Sequence, residues 1–376
     1  MYFLNGDRVY IKPGNSCESI DKQLVNCFNQ LQKINSGKQI YKLNFFADTK
    51  SDEDYKLLQN RVKQLAKEVF ETPVICALIA QPPLTCRVLA EAFYFDSSLW
   101  QPELFLAENG SAVFFKRGSA RVLVGHAQAN IDSGFYENAS EAFKVFKNLL
   151  KRAGLTFQSV VRQWNYIENI TGIDGDEQHY QVFNNVRAGF YAEHFNRNGF
   201  PAATGIGMNQ GGVIIEFVAV EARNAVSLPL NNPEQIAAHS YSEKVLVGKQ
   251  SEVKATPKFE RARFLELFGK KQVFISGTAS IRGENTIGIG DPVKQTEITI
   301  QNMQKLYSPG VLSVVSGNSL QPVYGHARVY VKNSKDFPEI KRTFKSFYGK
   351  LPVVYIVADI CRDDLLVEIE GKVILE

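Results

Sequence analysis

The sequence has few features that would indicate a metal site, a disulfide framework or a membrane segment. Its five cysteines are odd in number and include no Cys-x-x-Cys pair, so neither a structural zinc site nor a disulfide scaffold is expected. No apolar run approaches the roughly 20 residues that a membrane helix needs, and the N-terminus lacks the basic start of a secretory signal. We therefore expect a protein of the reducing cytoplasm with no metal, no cofactor and no membrane partner.

A strong charge of either sign is also lacking. The formal net charge is +4 at pH 7, from 43 basic and 39 acidic residues that are mixed along the chain. The sequence contains no dense stripe of Lys and Arg with interleaved aromatics, so a nucleic acid is not an expected partner. A small anionic molecule is compatible with this charge balance.

What the sequence does contain is an internal repeat. Strand-like and helix-like segments recur in the order β-α-β-β, which is extended in the later copies to β-β-α-β-α-β-β. The repeats divide the chain into a degenerate N-terminal unit at 1–106, a central unit at 107–226 and a C-terminal unit at 271–376. A polar segment at 227–270 connects the last two units, and we predict a helix in it at Phe259–Phe268.

Alternation and helical spacing predict the elements within each unit. In the first unit, a strand at Lys42–Phe46 precedes a helix whose cap is Ser51. The other predicted elements are the helices Ser16–Leu31, Ala139–Ala153, His179–His194, Val293–Lys305 and Asp336–Tyr348 and the strands Ala120–Ala129, Val160–Ile167, Gln272–Ser280 and Gly325–Val331.

The repeat also predicts how the units assemble. Helices cover one face of each predicted sheet, so the other face needs a partner. Three such faces can pack on one another around a central axis within one chain. The expected fold is an α+β intramolecular pseudo-trimer, present as a monomer, with any site between neighbouring units.

The last segment carries the most informative polar residues. Period-two alternation on its second strand places Glu368 and Glu370 on one face. A carboxylate on a strand of an apolar sheet is either a solvated edge residue or a buried acid with a raised pKa. Aligning the three units places Glu368 with Glu91 and Glu216, and this equivalence favours a structural role for all three.

Two stretches near the C-terminus carry the pattern of a known family. Phe274–Ser280 with Gln295–Met303, and Val367–Glu370 further on, resemble the Rid (YjgF-like, chorismate mutase-like) fold. That family forms homotrimers of one β-α-β unit, with ligand clefts between subunits. The resemblance implies tandem units of that fold in this chain.

One catalytic residue of that family is absent. Its deaminating members carry an Arg on the strand after the Pro, where this chain has Ile75, Ala203 or Val354 in its three units. Imine hydrolysis by that route is therefore not expected.

The tandem arrangement with a degenerate first unit resembles the chorismatases, which cleave chorismate to pyruvate and a cyclohexadiene acid or a hydroxybenzoate. The motifs that carry this resemblance are Trp164–Ile167, Tyr180–Arg187, Gly199–Gly207 and Ser276–Ser280, together with Cys361 and Glu368. The resemblance implies chorismate as the substrate and Glu368 as the catalytic acid. It also implies that Cys361 is the cysteine of the subtype that forms 3-hydroxybenzoate, although Ala279 replaces a Gly expected in that subtype.

Chorismate is a dianion with an enol ether, so its cleavage needs a proton donor and its carboxylates need cationic partners. We expect Arg187 and Arg328 to bind the carboxylates, with Tyr180 and Asn184 on the same helix face as Arg187. The remaining predicted substrate-binding residues are Thr204, Gly205 and Ala279. Structural interpretations stay open, namely a surface salt bridge for each Arg and a small buried residue for Cys361.

The leading hypothesis is thus a chorismatase that releases pyruvate and a hydroxybenzoate, with Glu368 as the general acid. A second hypothesis is a non-catalytic Rid-like protein whose cleft holds a small carboxylic acid. Within the chorismatases, 4-hydroxybenzoate and a dihydroxycyclohexadiene carboxylate are the alternative ring products.

Overall fold

The computed structural model describes residues 2–4, 8–34, 37–130, 134–192, 198–242, 246, 254–313, 315 and 320–376. The strands form three large sheets, one for each of the repeats that the sequence predicts. Within these residues, no helix is both long and apolar enough to cross a membrane.

The first unit has four strands and two helices. They are β1 (Arg8–Ile11), α1 (Ile20–Lys33), β2 (Gln39–Ala47), α2 (Asp52–Val69), β3 (Ile75–Ile79) and β4 (Val88–Phe95). The strand order is β1-β4-β2-β3, with β2 and β3 parallel. The predicted cap of α2 is confirmed, because Ser51 Oγ accepts a hydrogen bond from the Asp54 amide at 3.2 Å. The acidic residues of the first turn add favourable interactions with the helix dipole.

The second unit has the larger sheet that the longer repeat predicts. Its elements are β5 (Gln101–Ala107), β6 (Gly110–Arg117), β7 (Ala120–Ala129), α3 (Phe135–Arg152), β8 (Val160–Glu168), the short β9 (Ile173–Asp174) and β10 (Glu177–Gln178), α4 (His179–Tyr191), β11 (Ala202–Met208) and β12 (Val213–Glu221). The strand order is β11-β8-β12-β7-β6-β5. The last two residues of the predicted helix His179–His194 lie outside the described residues.

The third unit repeats this arrangement. Its elements are β13 (Val226–Leu230), β14 (Ala262–Leu267), β15 (Lys270–Ala279), the short β16 (Ile281–Arg282) and β17 (Asn285–Thr286), α5 (Pro292–Leu306), α6 (Pro309–Leu312), β18 (Pro322–Val331), α7 (Phe337–Tyr348), β19 (Val353–Val357) and β20 (Val367–Leu375). The strand order is β13-β14-β15-β20-β18-β19. The segment at 227–270 therefore supplies strands to this sheet.

The predicted helix at Phe259–Phe268 is wrong, because most of this segment forms β14, which pairs antiparallel with β15. The turn between the two strands is Phe268-Gly269, and both residues have positive φ, at 52° and 71°. Two consecutive positive φ values suit a two-residue β-hairpin turn, whose twist matches that of the strands. Along β14, Phe264 packs on the helices and Leu265 packs on the opposite face of the sheet.

The buried apolar side chains of the described residues form four hydrophobic cores. Three of them lie between a sheet and its own helices, as with Phe28 of α1 and Phe146 of α3. The fourth lies where the three sheets face one another, and it contains Phe46, Tyr166 and Tyr330, one from each unit. The chain thus folds as the predicted intramolecular pseudo-trimer.

The strand registers show which residues of the three units are equivalent. The equivalent strand pairs are β2 with β4, β8 with β12 and β18 with β20. Each pair contains one register shift, and the pairing is regular beyond it. Counted from that register shift, the equivalent cross-strand pairs are Asn44–Glu91, Trp164–Glu216 and Arg328–Glu370. The sequence alignment that grouped Glu368 with Glu91 and Glu216 is therefore wrong by two residues. Glu91 and Glu216 are the fourth residues of β4 and β12, whereas Glu368 is the second residue of β20 and Glu370 is the fourth.

Glu368 instead occupies a position that is apolar in the other units. It faces Tyr330, as Leu89 faces Phe46 and Ile214 faces Tyr166 in those units. The equivalence that favoured a structural role for Glu368 is thereby removed.

The three equivalent glutamates meet buried cations at the centre of the molecule. The ion pairs are Arg8–Glu91, Arg328–Glu91, Lys42–Glu216, Arg162–Glu370 and Arg328–Glu370. Arg328 also donates a hydrogen bond to the Tyr166 hydroxyl at 2.7 Å, so it contacts all three units. Burial would raise the pKa of Glu91, but Arg328 and Arg8 hold that pKa below its usual range.

Candidate active site

A cavity of about 260 Å³ lies between the second and third units. Elements α4 and β11 form one wall, and β15 and β20 form another. The cavity is closed by Tyr241, Leu246, Pro257, Phe259 and Arg261. The predicted site residues that line it are Tyr180, Asn184, Gly205, Ala279, Cys361 and Glu368. This cavity lies between neighbouring units, as the repeat predicts for a site.

Glu368 lies on β20 opposite Ala279 of β15, and it is only 5% exposed. Burial raises the pKa of Glu368 to about 8. The negative charge of Glu370 raises this pKa further, while Arg162 and Arg261 lower it. At neutral pH the carboxyl therefore keeps its proton, and it can donate that proton into the cavity.

The strand beside Glu368 is shaped to receive its carboxyl group. Pairing between β15 and β20 shifts register between Ile275 and Thr278, and Gly277 lies in this irregularity. A Cβ atom at position 277 would collide with Oε1 of Glu368. The Gly277 amide also donates a hydrogen bond to Thr204 Oγ1 at 2.9 Å, which joins the irregular part of β15 to the second unit. A side chain at position 277 would therefore displace the Glu368 carboxyl from its place in the cavity wall.

Cys361 lies between β19 and β20, half-buried in the same cavity wall. Burial raises the pKa of its thiol to about 12, and nearby Glu368 adds to this rise, while Arg362 lowers the pKa. The neighbouring Ile360 forms a β-bridge with Ile206 of β11, which holds the segment against the second unit. The thiol is therefore neutral at pH 7 and is a weak nucleophile.

Helix α4 presents two polar side chains one turn apart. Tyr180 packs on Gly205, where an added Cβ atom would lie 2.9 Å from Cε2 of the ring. Arg187 lies behind this wall, 2% exposed, and donates a hydrogen bond to Asn184 Oδ1 at 2.5 Å. Arg187 therefore orients Asn184. The sequence analysis expected Arg187 to bind the substrate, but Arg187 does not line the cavity.

Arg328 and Thr204 also lie away from the cavity. The Arg328 guanidinium is engaged by Glu91 and Glu370 in the central cluster of charges. Thr204 Oγ1 donates to Glu370 at 2.7 Å and accepts a hydrogen bond from Arg162 at 2.6 Å. The expectation that Arg328 and Thr204 contact a substrate disagrees with these positions.

Two arginines that the sequence analysis did not select line the cavity. Arg261 is 4% exposed and donates hydrogen bonds to the Ile236 carbonyl, at 2.9 Å, and to the Tyr241 hydroxyl. Its Nε has no partner among the described residues. Arg362 donates to the Glu284 carbonyl at 2.8 Å, and both guanidinium groups lie within 5.5 Å of the Tyr241 ring centre, at 5.4 and 5.3 Å.

Sequence signals for these arginines existed but were weak. Arg362 directly follows Cys361, which the sequence analysis did select. Arg261 immediately precedes β14 and was hidden by the mistaken helix. The only turn signal nearby was the single Gly269, a residue type common in turns. A buried arginine before a strand has no distinctive sequence pattern of its own.

The cavity combines a protonated acid with two guanidinium groups. Arginine binds carboxylates through paired hydrogen bonds, so the cavity can hold a small dianion with one part near Glu368. Among the residues described, no group of three or more His, Cys, Asp or Glu side chains could hold a metal ion. The arrangement is suited to proton transfer to a bound organic acid.

Known proteins resemble this chain in sequence and in fold. Residues 105–219 match the family model described as chorismatase FkbO/Hyg5-like, N-terminal. A 3-hydroxybenzoate synthase from Streptomyces hygroscopicus is 33% identical, over 64% of this chain and 71% of that protein. A chorismatase from the same species is also 33% identical, over 64% of this chain and 69% of that protein. The crystal structure of a chorismatase matches the fold with a TM-score of 0.74, at 22% identity and 98% coverage of both chains.

Proposed function

The chain belongs to the chorismatase family, and from this premise we propose that it cleaves the enolpyruvyl ether of chorismate to pyruvate and 3-hydroxybenzoate. The observation that carries the proposal is Glu368, an acid whose pKa is raised to about 8 in a cavity between two units. Its equivalents in the other units are Leu89 and Ile214, so the acid is present at one of three related positions.

Glu368 acts as the general acid. Protonation of the enolpyruvyl methylene carbon leaves positive charge on the adjacent carbon, which carries the ether oxygen. Water or the ring hydroxyl at C4 can then add to that carbon. With water, the adduct breaks its bond to the ether oxygen and releases pyruvate and the dihydroxycyclohexadiene carboxylate. With the C4 hydroxyl, that bond and the C4–O bond both break, so pyruvate keeps the C4 oxygen and the ring loses its C3 proton to become 3-hydroxybenzoate. A carboxyl with a pKa near the working pH is well suited to this transfer, because it is protonated at rest and still acidic enough to give up its proton.

Arg261 and Arg362 bind the two carboxylates of chorismate. Both line the cavity with Glu368, and the free Nε of Arg261 offers a donor that no described residue uses. These residues take the role that the sequence analysis gave to Arg187 and Arg328. Arg187 contributes by orienting Asn184, whose amide can hydrogen-bond the substrate.

The ring product depends on which oxygen attacks. Conversion of chorismate to pyruvate and a hydroxybenzoate neither takes up nor releases water overall, whereas formation of a dihydroxycyclohexadiene carboxylate takes up one water. Cys361 places a neutral, weakly hydrogen-bonding thiol beside Glu368. We assign it the role of excluding water there, which favours the hydroxybenzoate, while Ala279 packs against the ring.

Incubation of the purified protein with chorismate tests the proposal. Pyruvate is followed by a coupled assay, and the ring product is separated by chromatography against 3-hydroxybenzoate, 4-hydroxybenzoate and the diol. Glu368→Gln removes the proton donor and should lower kcat at least about 100-fold, because general acids contribute 10²–10⁴-fold. Glu339→Gln on the exposed face of α7 is the matched control and should leave kcat unchanged.

The pH dependence gives a second test of the same assignment. Since the protonated form of Glu368 is the active one, kcat should fall about tenfold per pH unit above a pKa of about 8.

Wild-type turnover that persists in Glu368→Gln would refute the mechanism. Pyruvate with a different ring product would keep the cleavage and correct the product.

A further inference from the structure

A second cavity, of about 670 Å³, lies between the first and second units. Helix α2 and strand β3 form one wall, and β5, β6 and β7 form the other. In the pseudo-threefold arrangement α2, β3 and β7 are the counterparts of α4, β11 and β15 around the candidate active site. The molecule therefore has a second cleft of the same construction.

The correspondence extends to individual positions. The helix positions that line the two cavities have the same spacing: Tyr55, Lys56 and Gln59 on α2, and Tyr180, Gln181 and Asn184 on α4. On the strands, Cys76 of β3 occupies the register position that Ala203 occupies in β11. The second cavity thus retains the helix and strand that form one wall of the first.

The second cavity lacks the acid. Gln128 of β7 faces Ile214, just as Ala279 of β15 faces Glu368. Ile214 is 1% exposed and cannot transfer a proton. A molecule bound in this cavity would therefore not undergo ether cleavage by the route proposed for the first.

The polar groups of the second cavity favour an anion. Three exposed lysines of α2, Lys56, Lys63 and Lys67, line it at positions on one side of the helix. Glu71 and Glu108 also line it, so the ionised side chains leave an excess of one positive charge.

A buried histidine adds an unused hydrogen-bonding group. His126 of β7 lines the cavity, is 9% exposed, and its Nδ1 has no partner among the described residues. Burial lowers the pKa of His126 to about 4, and the charge of Lys42 lowers it further. The neutral imidazole can therefore exchange a hydrogen bond with a ligand without a change of charge.

Apolar side chains complete the lining. Phe70, Val74, Ile75 and Leu104 line the same cavity, and they offer a surface for a ring or a short hydrocarbon. We propose that this cleft binds a small cyclic organic acid, with its carboxylate near the lysines of α2 and a polar atom at His126. This inference does not depend on the function proposed for the first cavity.

Nuclear magnetic resonance of the imidazole ring of His126 tests the proposal directly. The chain has five histidines, and His126→Gln assigns the signal by its disappearance. Titration of the intact protein with benzoate should shift the His126 signal in a saturable way. Benzamide, which has the same shape without the charge, should produce little shift at the same concentrations.

A lysine variant distinguishes this cleft from other sites. Lys63→Gln with Lys67→Gln changes only exposed side chains of α2 and should weaken benzoate binding at His126 about 3- to 10-fold, as expected for partly exposed charges. Lys147→Gln, exposed on α3 outside the lining, is the control and should leave the affinity unchanged. The proposal is overturned if benzoate leaves the His126 signal unmoved, if benzamide moves it equally, or if the double variant binds as tightly as the wild type.

Discussion

Burial raises the pKa of Glu368 to about 8 from an ordinary value of 4.5. Between these two pH values the folded protein holds a proton that the unfolded chain has released. The free energy of unfolding therefore falls as pH rises through this window. A group that is suited to donate a proton at neutral pH thus lowers the stability of the fold at alkaline pH.

Replacement of Glu368 by Gln should remove this pH dependence. We expect Glu368→Gln to be more stable than the wild type at pH 9, by an amount on the order of a few kcal/mol, and close to the wild type at pH 5. Calorimetric Tm values at the two pH values measure the difference. Glu339→Gln serves as the control, and an equal effect of Glu368→Gln at both pH values would contradict the assigned pKa.

The thiol of Cys361 lines the same cavity as Glu368. Its pKa of about 12 makes a covalent role for a thiolate unfavourable. We expect Cys361→Ala to keep pyruvate release within about tenfold of the wild type, because the proton donor is unchanged. The ring product should shift towards the diol, since water can occupy the vacated volume. Chromatography of the products gives the ratio, and a complete loss of pyruvate from the folded variant would contradict a positioning role.

At the scale of elements, the segment before β14 forms a wall of the cavity. Its backbone is fixed by hydrogen bonds to both neighbouring units: the Glu260 amide donates to the Pro201 carbonyl at 3.0 Å, and Ser276 Oγ donates to the Glu260 carbonyl at 2.6 Å. This anchoring holds the Arg261 guanidinium at the cavity. The segment that connects the second and third units is therefore also part of the candidate site.

Arg261→Gln should raise the KM for chorismate about 10- to 100-fold, because a charge-assisted hydrogen bond contributes about 1.5–3 kcal/mol. Arg263→Gln is a matched control two residues further along the chain, on β14. Its guanidinium donates to Ser227 Oγ and to the Phe200 carbonyl, both at 2.7 Å, and does not line the cavity. Steady-state kinetics should show a KM effect in Arg261→Gln that is absent from Arg263→Gln, and equal KM values would remove Arg261 from the site.

The elements also show what the sequence could and could not predict. Periodicity was sufficient for helices such as α3. The repeat correctly predicted the order of helices and strands along the chain on either side of β8 and β18. It failed for the group of Glu91, Glu216 and Glu368, because the apolar Leu365 and Leu366 precede β20 and were aligned with residues that begin β4 and β12. Arg328 was assigned to the site because a dianion needs guanidinium partners, and the sequence gives no sign that Glu91 and Glu370 already pair with it.

At the scale of the whole molecule, the centre and the candidate site are coupled. Glu370 belongs to the central cluster of charges, and its charge contributes to the raised pKa of Glu368 two residues away. The cluster also joins the three units through Arg328. The charges at the pseudo-threefold centre thus join the three units and also help to raise the pKa of Glu368, whose equivalents in the other units are apolar.

Arg328→Gln should destabilise the protein by about 3–5 kcal/mol at pH 7, because it leaves buried carboxylates without a counter-charge. The folded-state pKa of Glu91 is held low by Arg328, so this contribution is present above the ordinary pKa of 4.5 and is lost as pH falls. Urea unfolding at pH 7 and pH 4 should therefore show a smaller difference from the wild type at the lower pH. Arg342→Gln, in an exposed pair with Glu339 at 3.9 Å, should change stability by less than about 0.5 kcal/mol. If Arg328→Gln behaves like this surface control, the central cluster does not hold the units together.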